Sequence, residues 1–518
     1  MAKYKHTDIS QTQLMVVNLK EQIRLGSFEW TIDYLISKTD ISLFDKNYHN
    51  DVKGAAAYSP KVLLKIILYC YSLGILSSRK IEKACKENIM VKVLAEDSEP
   101  DHDTIAAFIS GNSEAVKDLF TQVILKCAEL KLITGEMFAI DGCKLPSNAS
   151  KEWSGKLSDL KKKKADLEKS LKRILIQHRE MDRDEKTKKV QEPFKKTLGD
   201  EQERRKRHIE RVEKKLSKID QFLSTAEPKV GSSGQEVQTN ITDPESARIK
   251  SAHGYIQGYN GIAIADSGNQ VIVSAEVIGS GSESGCLPEM IDKLETNMQM
   301  ITGKKKPLKK SLVLGDTGYF SEDNLQEAAK RKIGVLIPDP QFRKRDPVFD
   351  DRKKYKDTNV KKYFGIEDFK YNKKQDSYTC PAGKIPPYKC DIEFKKRGTR
   401  GKQYRMKKSV CSVCPLKEKC INRKSGKGEF RALFVLHRQY DENLSAKMRD
   451  KIDNPAYREI YSRRMQIIEP VFANMRYCKG MDRFTYRGHV KVNTQWKLYI
   501  IVHNMWKCMK PLGEKYGL

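Results

Sequence analysis

Three acidic residues stand where the chain could deliver them to one place. Met137–Ile140 is a short apolar run that ends in Asp141-Gly142, the pattern of a buried strand carrying a carboxylate to its end. Ser311–Leu314 repeats the pattern, with Asp316 just past it, and Glu469 lies in an apolar and basic stretch, IIEPVF. Carboxylates that meet at strand ends suit hard divalent cations, which take oxygen ligands. Two Mg²⁺ or Mn²⁺ ions ~3.5–4 Å apart would stabilise the attacking and leaving oxygens of phosphodiester cleavage. One isolated Asp-Gly reads as an ordinary turn; three acids in these contexts read as a centre.

A second constellation is made of thiols. Cys380, Cys411, Cys414 and Cys420 follow the spacing C-x30-C-x2-C-x5-C. Four thiolates could hold Zn²⁺ tetrahedrally and staple a basic insertion that lacks an apolar core of its own. Reduced, partly buried thiols are the plainer alternative, and Cys390 is a spare ligand. No histidine or water-activating acid stands nearby, so such a zinc would be structural.

Periodicity outlines the elements that must position these groups. Residues 1–130 read as helical. Ser59-Pro60 fits a helix start with Pro60 in the first position. Ser77-Ser78 fits a second start, and Pro100–Phe108 a third, capped by Asp101 or Asp103. Such short helices suit DNA binding or a plain bundle.

Between 155 and 224, Leu160, Leu167, Ile174 and Met181 recur every seven residues, and Ile209, Val212, Leu216, Ile219 and Leu223 make a second seam. Pro193 and Gly199 let the chain reverse within Asp182–Asp200, which predicts an antiparallel coiled-coil hairpin. Its charges read as solvated surface.

From Ala252 the period becomes two. GYNGIAIADSGNQVIVSAEVI predicts a hairpin turning at Asp266–Asn269, with Ile262, Ile264, Val271, Val273, Ala275 and Val277 on inner faces. Gly279–Gly285 reads as a loop and LPEMIDKLETNMQMI as a helix. The strand before Asp316, a helix opening at Ser321 and a strand at Gly334–Ile337 favour a parallel α/β arrangement. Residues 340–430 are irregular and basic. From about Tyr440 the chain is helical again and ends in a packing helix, TQWKLYIIVHNMWKCM.

Composition narrows the partners. The 518 residues suggest about three domains. Lys and Arg total 98 against 68 Asp and Glu, a formal charge of +30, which argues for a polyanionic partner, either nucleic acid or an acidic membrane surface. The most apolar stretch, Val62–Leu76, is interrupted by Lys65 and is shorter than the ~20 residues of a membrane span. The N-terminus lacks an apolar signal core, so a cytoplasmic location with reduced thiols is expected. No phosphate loop of the type G-x4-G-K-[ST] is present. The stretches FRKRDPVFDDRKKYKDTNVKKYFG and FKKRGTRGKQYRMKKS mix cations with aromatics, as surfaces that bind phosphates and stack bases do. RFTYRGHVKV could also meet DNA. His253, His489 and His503 are expected to be structural or DNA-facing.

IDGCKLPSNAS, VLGDTGYFSEDNL and YSRRMQIIEPVFANMRYCKGMDRFTYRGHVKVNTQWKLYIIVHNMWK resemble the three motif regions of bacterial insertion-sequence transposases of the DDE type, the insertion sequence 1182-like group above all. YSPKVLLKIILYCYSLGILSSRKIEKAC and EPDHDTIAAF are similar to the N-terminal helical region of that family. The likeness runs over nearly the whole chain, and the hairpin at 155–224 is its least diagnostic part.

The resemblance implies an α/β fold. An RNase H-like mixed-sheet core (131–154 and 241–340) would follow an N-terminal helical, DNA-binding domain (1–130). It would be interrupted by a coiled-coil hairpin insertion (155–240) and a basic, cysteine-containing insertion (341–435). A C-terminal helical part (436–518) would bring the third acid. Asp141, Asp316 and Glu469 take the places of the catalytic, metal-holding triad, with two Mg²⁺ or Mn²⁺ ions. Tyr461, Arg464 and Arg476 match positions that contact DNA phosphates. Arg476 replaces the more usual Lys, which keeps the charge with a different geometry. Glu469 and Arg476, seven apart, would share a helical face, while Pro470 either opens a helix or kinks a longer one.

The implied activity is cleavage at transposon ends and transfer of the 3′-hydroxyl into target DNA. It would be carried out by a homo-oligomer on DNA in the bacterial cytoplasm, associated with the nucleoid. The rivals are a nuclease of the same fold without strand transfer, a non-catalytic transposase-derived DNA-binding protein, and a coiled-coil scaffold.

Overall fold

The structure is a computed structural model that describes residues 18–48, 56–187, 192–231, 234–251, 254–349, 351–352, 363–372, 374–394, 399–421, 429–436 and 444–517. His253 lies outside these residues, as do parts of both basic-aromatic stretches.

The N-terminal helices start where their residues demand. Pro60 opens Pro60–Ser72 after Ser59, and Ser77 precedes Ser78–Glu87. Asp101, not Asp103, caps His102–Gly111: its carboxylate accepts the Thr104 N–H at 2.7 Å. Pro60–Ser72 is buried along most of its length, Lys65 included. The Lys65 ammonium reaches Asp33 at 2.7 Å and Glu96 at 3.3 Å, so the charge inside this apolar helix is paired. Among the described residues no helix is long and apolar enough to cross a membrane.

A six-stranded mixed sheet lies at the centre, and its strands are labelled in chain order: β1 Met137–Pro146, β2 Ala247–Ser251, β3 Gly254–Asp266, β4 Ile272–Ile278, β5 Leu312–Leu314 and β6 Gly334–Leu336. β3 runs antiparallel to β1 on one side, while its other edge pairs with β2 along the first half and with β4 along the second. β5 lies parallel to β1, and β6 parallel to β5. The β5–helix–β6 unit passes through Glu322–Arg331, capped by Ser321.

The β3–β4 hairpin turns after Asp266, but its alternation does not separate an inner from an outer face. Ile262, Ala263, Ile264 and Ala265 are all fully buried, because helices cover both sides of the sheet. Asp266 is buried as well. Its carboxylate accepts N–H bonds from Thr134, Gly135 and Gly268, so this acid holds a turn together.

Helices Leu157–Thr187 and Glu192–Thr225 pack on each other as a hairpin, with Lys164 and Asp220 paired at 2.6 Å. Pro193 sits in the first turn of the second helix and Gly199 lies within it, so the chain reverses at neither; residues 188–191 lie outside those described. Leu160, Val212, Leu216 and Ile219 are buried along the seam. The Met181 side chain lies outside what is described. At the root, Ser154–Gly155 pairs with Thr239–Asn240.

The cysteine-bearing region is small sheets with small cores. Lys370–Asn372 pairs with Ser377–Thr379, and Tyr388–Phe394, Thr399–Arg405 and Ala432–Leu436 form a three-stranded sheet. Phe369, Tyr378, Tyr404, Leu433 and Val435 make one cluster, and Met406, Cys411 and Ile421 another.

The helix His489–Lys515 closes the molecule. It packs against β4 and against the N-terminal helices Phe28–Lys38, Pro60–Ser72 and Ser113–Glu129. One continuous apolar core therefore joins the N-terminal helices to the sheet. Trp496 is buried, and its indole N–H donates to the Ile262 carbonyl at 3.1 Å. A Cβ at Gly261 would stand 2.8 Å from the Trp496 ring, so the indole can lie this close only over a glycine.

His489 and His503 both serve packing here. Their Nε2 atoms meet the Val277 carbonyl at 2.7 Å and the Gln270 carbonyl at 2.9 Å. Burial pushes the His503 pKa down from 6.5 to about 3. Between those values the unfolded chain binds a proton that the folded one refuses, so stability falls as pH drops through that window. Lowering the pH from about 7 to about 5 should cost about 2 kcal/mol at this site alone. His503→Asn should show a correspondingly shallower loss of melting temperature with acidification than wild type.

Candidate active site

The parallel register of β1 and β5 brings the first two carboxylates together. Ala139 pairs with Leu314. Two residues further along, Asp316 lies just past the end of β5. Contrary to the sequence pattern, Asp141 does not end its strand: it sits within β1, paired with Ala263, and β1 runs on to Pro146. Each is then held by its own backbone: Asp141 accepts the Gly142 N–H at 2.8 Å, and Asp316 accepts the Gly318 N–H at 2.8 Å. The second of these caps the single turn Thr317–Tyr319.

A third carboxylate joins them from the loop after β4. Oxygens of Asp141, Glu283 and Asp316 all lie within 4.8 Å of one another; among the described residues this is the only group of three or more candidate ligands so close. Glu283 is clamped by Asn260, whose Nδ2 donates to Oε1 at 2.6 Å. Lys144 approaches the same oxygen at 4.0 Å. Burial pushes the Glu283 carboxyl up, Asn260 draws it down, and the charges of Asp316 and Asp141 raise it again. Burial also raises Asp141, against the pull of Arg464 and the Gly142 N–H. Three hard oxygen donors in a shielded recess fit a divalent cation.

The third motif approaches through an arginine. Arg464, buried on Pro455–Ile467, reaches Asp141 Oδ2 at 3.0 Å with Nη1 and Glu469 Oε1 at 3.4 Å with Nη2. Its guanidinium thus stands between those two acids. The Glu469 side chain is 48% exposed and is not among the three clustered carboxylates. Pro470 does both things its position allows: the helix breaks at Ile468, and Glu469–Ala473 starts a new short one. A π-helical turn, Asn474–Cys478, follows at once, so the regular seven-residue register from Glu469 to Arg476 is not kept. Arg476 lies near Cys143, two residues beyond Asp141, where its charge draws the thiol pKa down against burial. Tyr461 packs edge-on against Phe342 at 5.6 Å and faces Arg464 and Asp316.

Glu283 escaped the sequence reading because GSGSESG looked like a bare loop. The available signal was register. Asn260 pairs with Lys144 on one side and with Ile278 on the other. The loop that starts at Gly279 therefore leaves the sheet two strands from Asp141 and at the same end.

The thiols gather less tightly. Cys380, Cys411, Cys414 and Cys420 line one cavity of about 690 Å³ together with Arg431 and several apolar residues. Burial pushes the Cys420 thiol up, Arg431 opposes this, and the other three sulfurs add to it. Among the described residues no three of these sulfurs lie within 4.8 Å of one another. Four soft donors around one cavity are nevertheless the donor set that Zn²⁺ takes. Cys390 stays apart, its thiol facing Gln403 at 3.9 Å.

Comparison with known families gives two matches. Residues 17–111 match a transposase domain, and residues 379–509 match the transposase DDE domain. No curated protein matches the sequence. The second match spans the cysteine cluster, Glu469 and Arg476, while Asp141 and Asp316 fall outside both and rest on the geometry above. Transposase domains are thus matched toward both ends of the chain, which indicates an insertion-sequence transposase of the DDE type.

Proposed function

We propose that this transposase cuts DNA at transposon ends and joins the freed 3′-hydroxyl to target DNA, with Asp141, Asp316 and Glu469 as its metal-holding acids. The observation that carries this reading is the meeting of Asp141, within β1, and Asp316, just past the end of the adjacent parallel β5. The order of the sheet supports an RNase H-like core: β1 is flanked by an antiparallel β3 and a parallel β5. The spacing of the third motif fits the insertion sequence 1182-like group.

Each residue has a separable task. Mg²⁺ or Mn²⁺, when bound, supplies Lewis acidity to the attacking and leaving oxygens of the phosphodiester. Asp141, Asp316 and Glu469 hold these cations. Tyr461, Arg464 and Arg476 bind and orient the DNA backbone, and Arg464 exchanges its present acid partners for phosphate. In the first step water attacks phosphorus and the 3′-oxygen leaves. In the second that 3′-hydroxyl attacks target DNA, and a target 3′-oxygen leaves. The N-terminal helices recognise the transposon end, aided by the basic insertion. The hairpin at 157–225 acts as a coiled coil, and the enzyme works as a homo-oligomer on DNA at the nucleoid. Cys380, Cys411, Cys414 and Cys420 hold a structural Zn²⁺ that staples this region, whose own apolar clusters are small.

Two experiments test this. Asp141→Asn and Asp316→Asn should each lower cleavage of a labelled transposon end on the order of 10³-fold, the equivalent of several kcal/mol, while leaving end binding in gel shifts within about twofold. A precut end then reads strand transfer by itself: joining by wild type and none by either variant is expected. For the thiols, elemental analysis of the full chain should find one zinc per chain, lost in a Cys411→Ser, Cys414→Ser double variant together with a lower melting temperature. Protein purified without zinc and with an unchanged melt would remove the zinc assignment.

A further inference from the structure

We infer that Glu283, outside the three motif acids, is a direct ligand of the cation held by Asp141 and Asp316, and that it binds that ion before DNA arrives. The inference rests on the metal-dependent reading above and assigns a ligand that reading does not contain.

Three observations carry it. First, Glu283 reaches the cluster that Glu469 does not: its carboxylate lies within 4.8 Å of both aspartates, while Glu469 is turned onto Arg464. Second, the surroundings are built to bring Glu283 in. A Cβ at Gly142 would stand 2.7 Å from Asn260 Oδ1 and 2.8 Å from Glu283 Oε1, so both side chains lie directly over a glycine next to Asp141. A Cβ at Gly318 would meet Asp316 Oδ1 at 2.9 Å and Glu283 Oε2 at 3.6 Å, which puts the second Glu283 oxygen on the Asp316 side. Asn260 holds the first oxygen, and Lys144 stands 4.0 Å from it.

Third, one polar atom there is without a partner. Asn260 is fully buried, and among the described residues its Oδ1 has no hydrogen-bond partner. Reversing the amide would press that oxygen against the Glu283 carboxylate, so the orientation is set by Glu283 itself. A buried acceptor left unpaired costs about 1–3 kcal/mol. A cation with its hydration water beside Asp141 and Glu283 would supply the missing donor.

The two halves of the site therefore differ. Asp141, Asp316 and Glu283 stand ready for a cation in the free protein. The space between Asp141 and Glu469 is taken by the Arg464 guanidinium, a positive charge that must leave before an ion can replace it.

Mn²⁺ binding to the DNA-free full chain, followed by electron paramagnetic resonance and by calorimetry, tests this. Wild type should bind one Mn²⁺ per chain with the higher affinity. E283Q should weaken that site by about 10²-fold, and N260A, which removes only the clamp, by about tenfold. E469Q should stay within about twofold of wild type. E283Q binding like wild type, or E469Q weakening the site as much as E283Q, would overturn the inference. D141N separates it from the broader reading. If D141N loses Mn²⁺ and E283Q does not, Glu283 alone is misassigned; if D141N also binds normally, the metal centre itself is wrong. Should E283Q melt early, E283D keeps the charge but shortens the reach, and it is read by the same criterion.

Discussion

The pairing of β1 with β5 is the constraint on which the rest of the molecule depends. Three residue pairs in parallel register decide that Asp141 and Asp316 lie side by side. A slip of one residue would send one of the two carboxylates to the opposite face. The register is fixed on both faces: Phe138, Ala139, Ile140, Val313 and Leu314 are fully buried, so no shift leaves the core intact. The like charges this creates are relieved by Arg464 at Asp141, while Lys144 stands by the third acid, Glu283.

Around that pair the structure sets two kinds of acid. Asp266 and Asp243 are buried, Glu276 is partly buried, and all three are satisfied. Asp266 is wrapped in N–H groups, Asp243 accepts the Tyr259 hydroxyl at 2.6 Å, and Glu276 is paired with Lys293 and Lys497. They hold turns and layers together. Asp141, Glu283 and Asp316 face one another with too few donors to cancel their charge. That difference, rather than burial alone, sets the second group apart as candidate metal ligands.

Much of this was legible in the sequence, for reasons that differ by element. Helix starts were readable because Ser-Pro and Asp101 leave local signatures. The two aspartates were readable because a short apolar run can end in an acid for few reasons. The faces of the β3–β4 hairpin were not, since helices cover both sides and erase the alternation. Glu283 was hidden because its position depends on strand register two strands away. The break at Ile468 and the π-turn after it were unreadable for another reason: Pro470 permits either a start or a kink, and only the packing of Val471 and Met475, both buried, decides that both occur together.

The helix His489–Lys515 carries a consequence for biogenesis. It lies over β4 and beside the N-terminal helices, yet it follows every other described element in the order of synthesis. Until it leaves the ribosome, the face of β4 that it covers is an open apolar surface, and the nascent protein must be shielded from its neighbours. A premature stop ahead of this helix would thus yield a sticky, aggregation-prone polypeptide rather than a weakened enzyme, so its loss is a failure of solubility before it is a failure of chemistry.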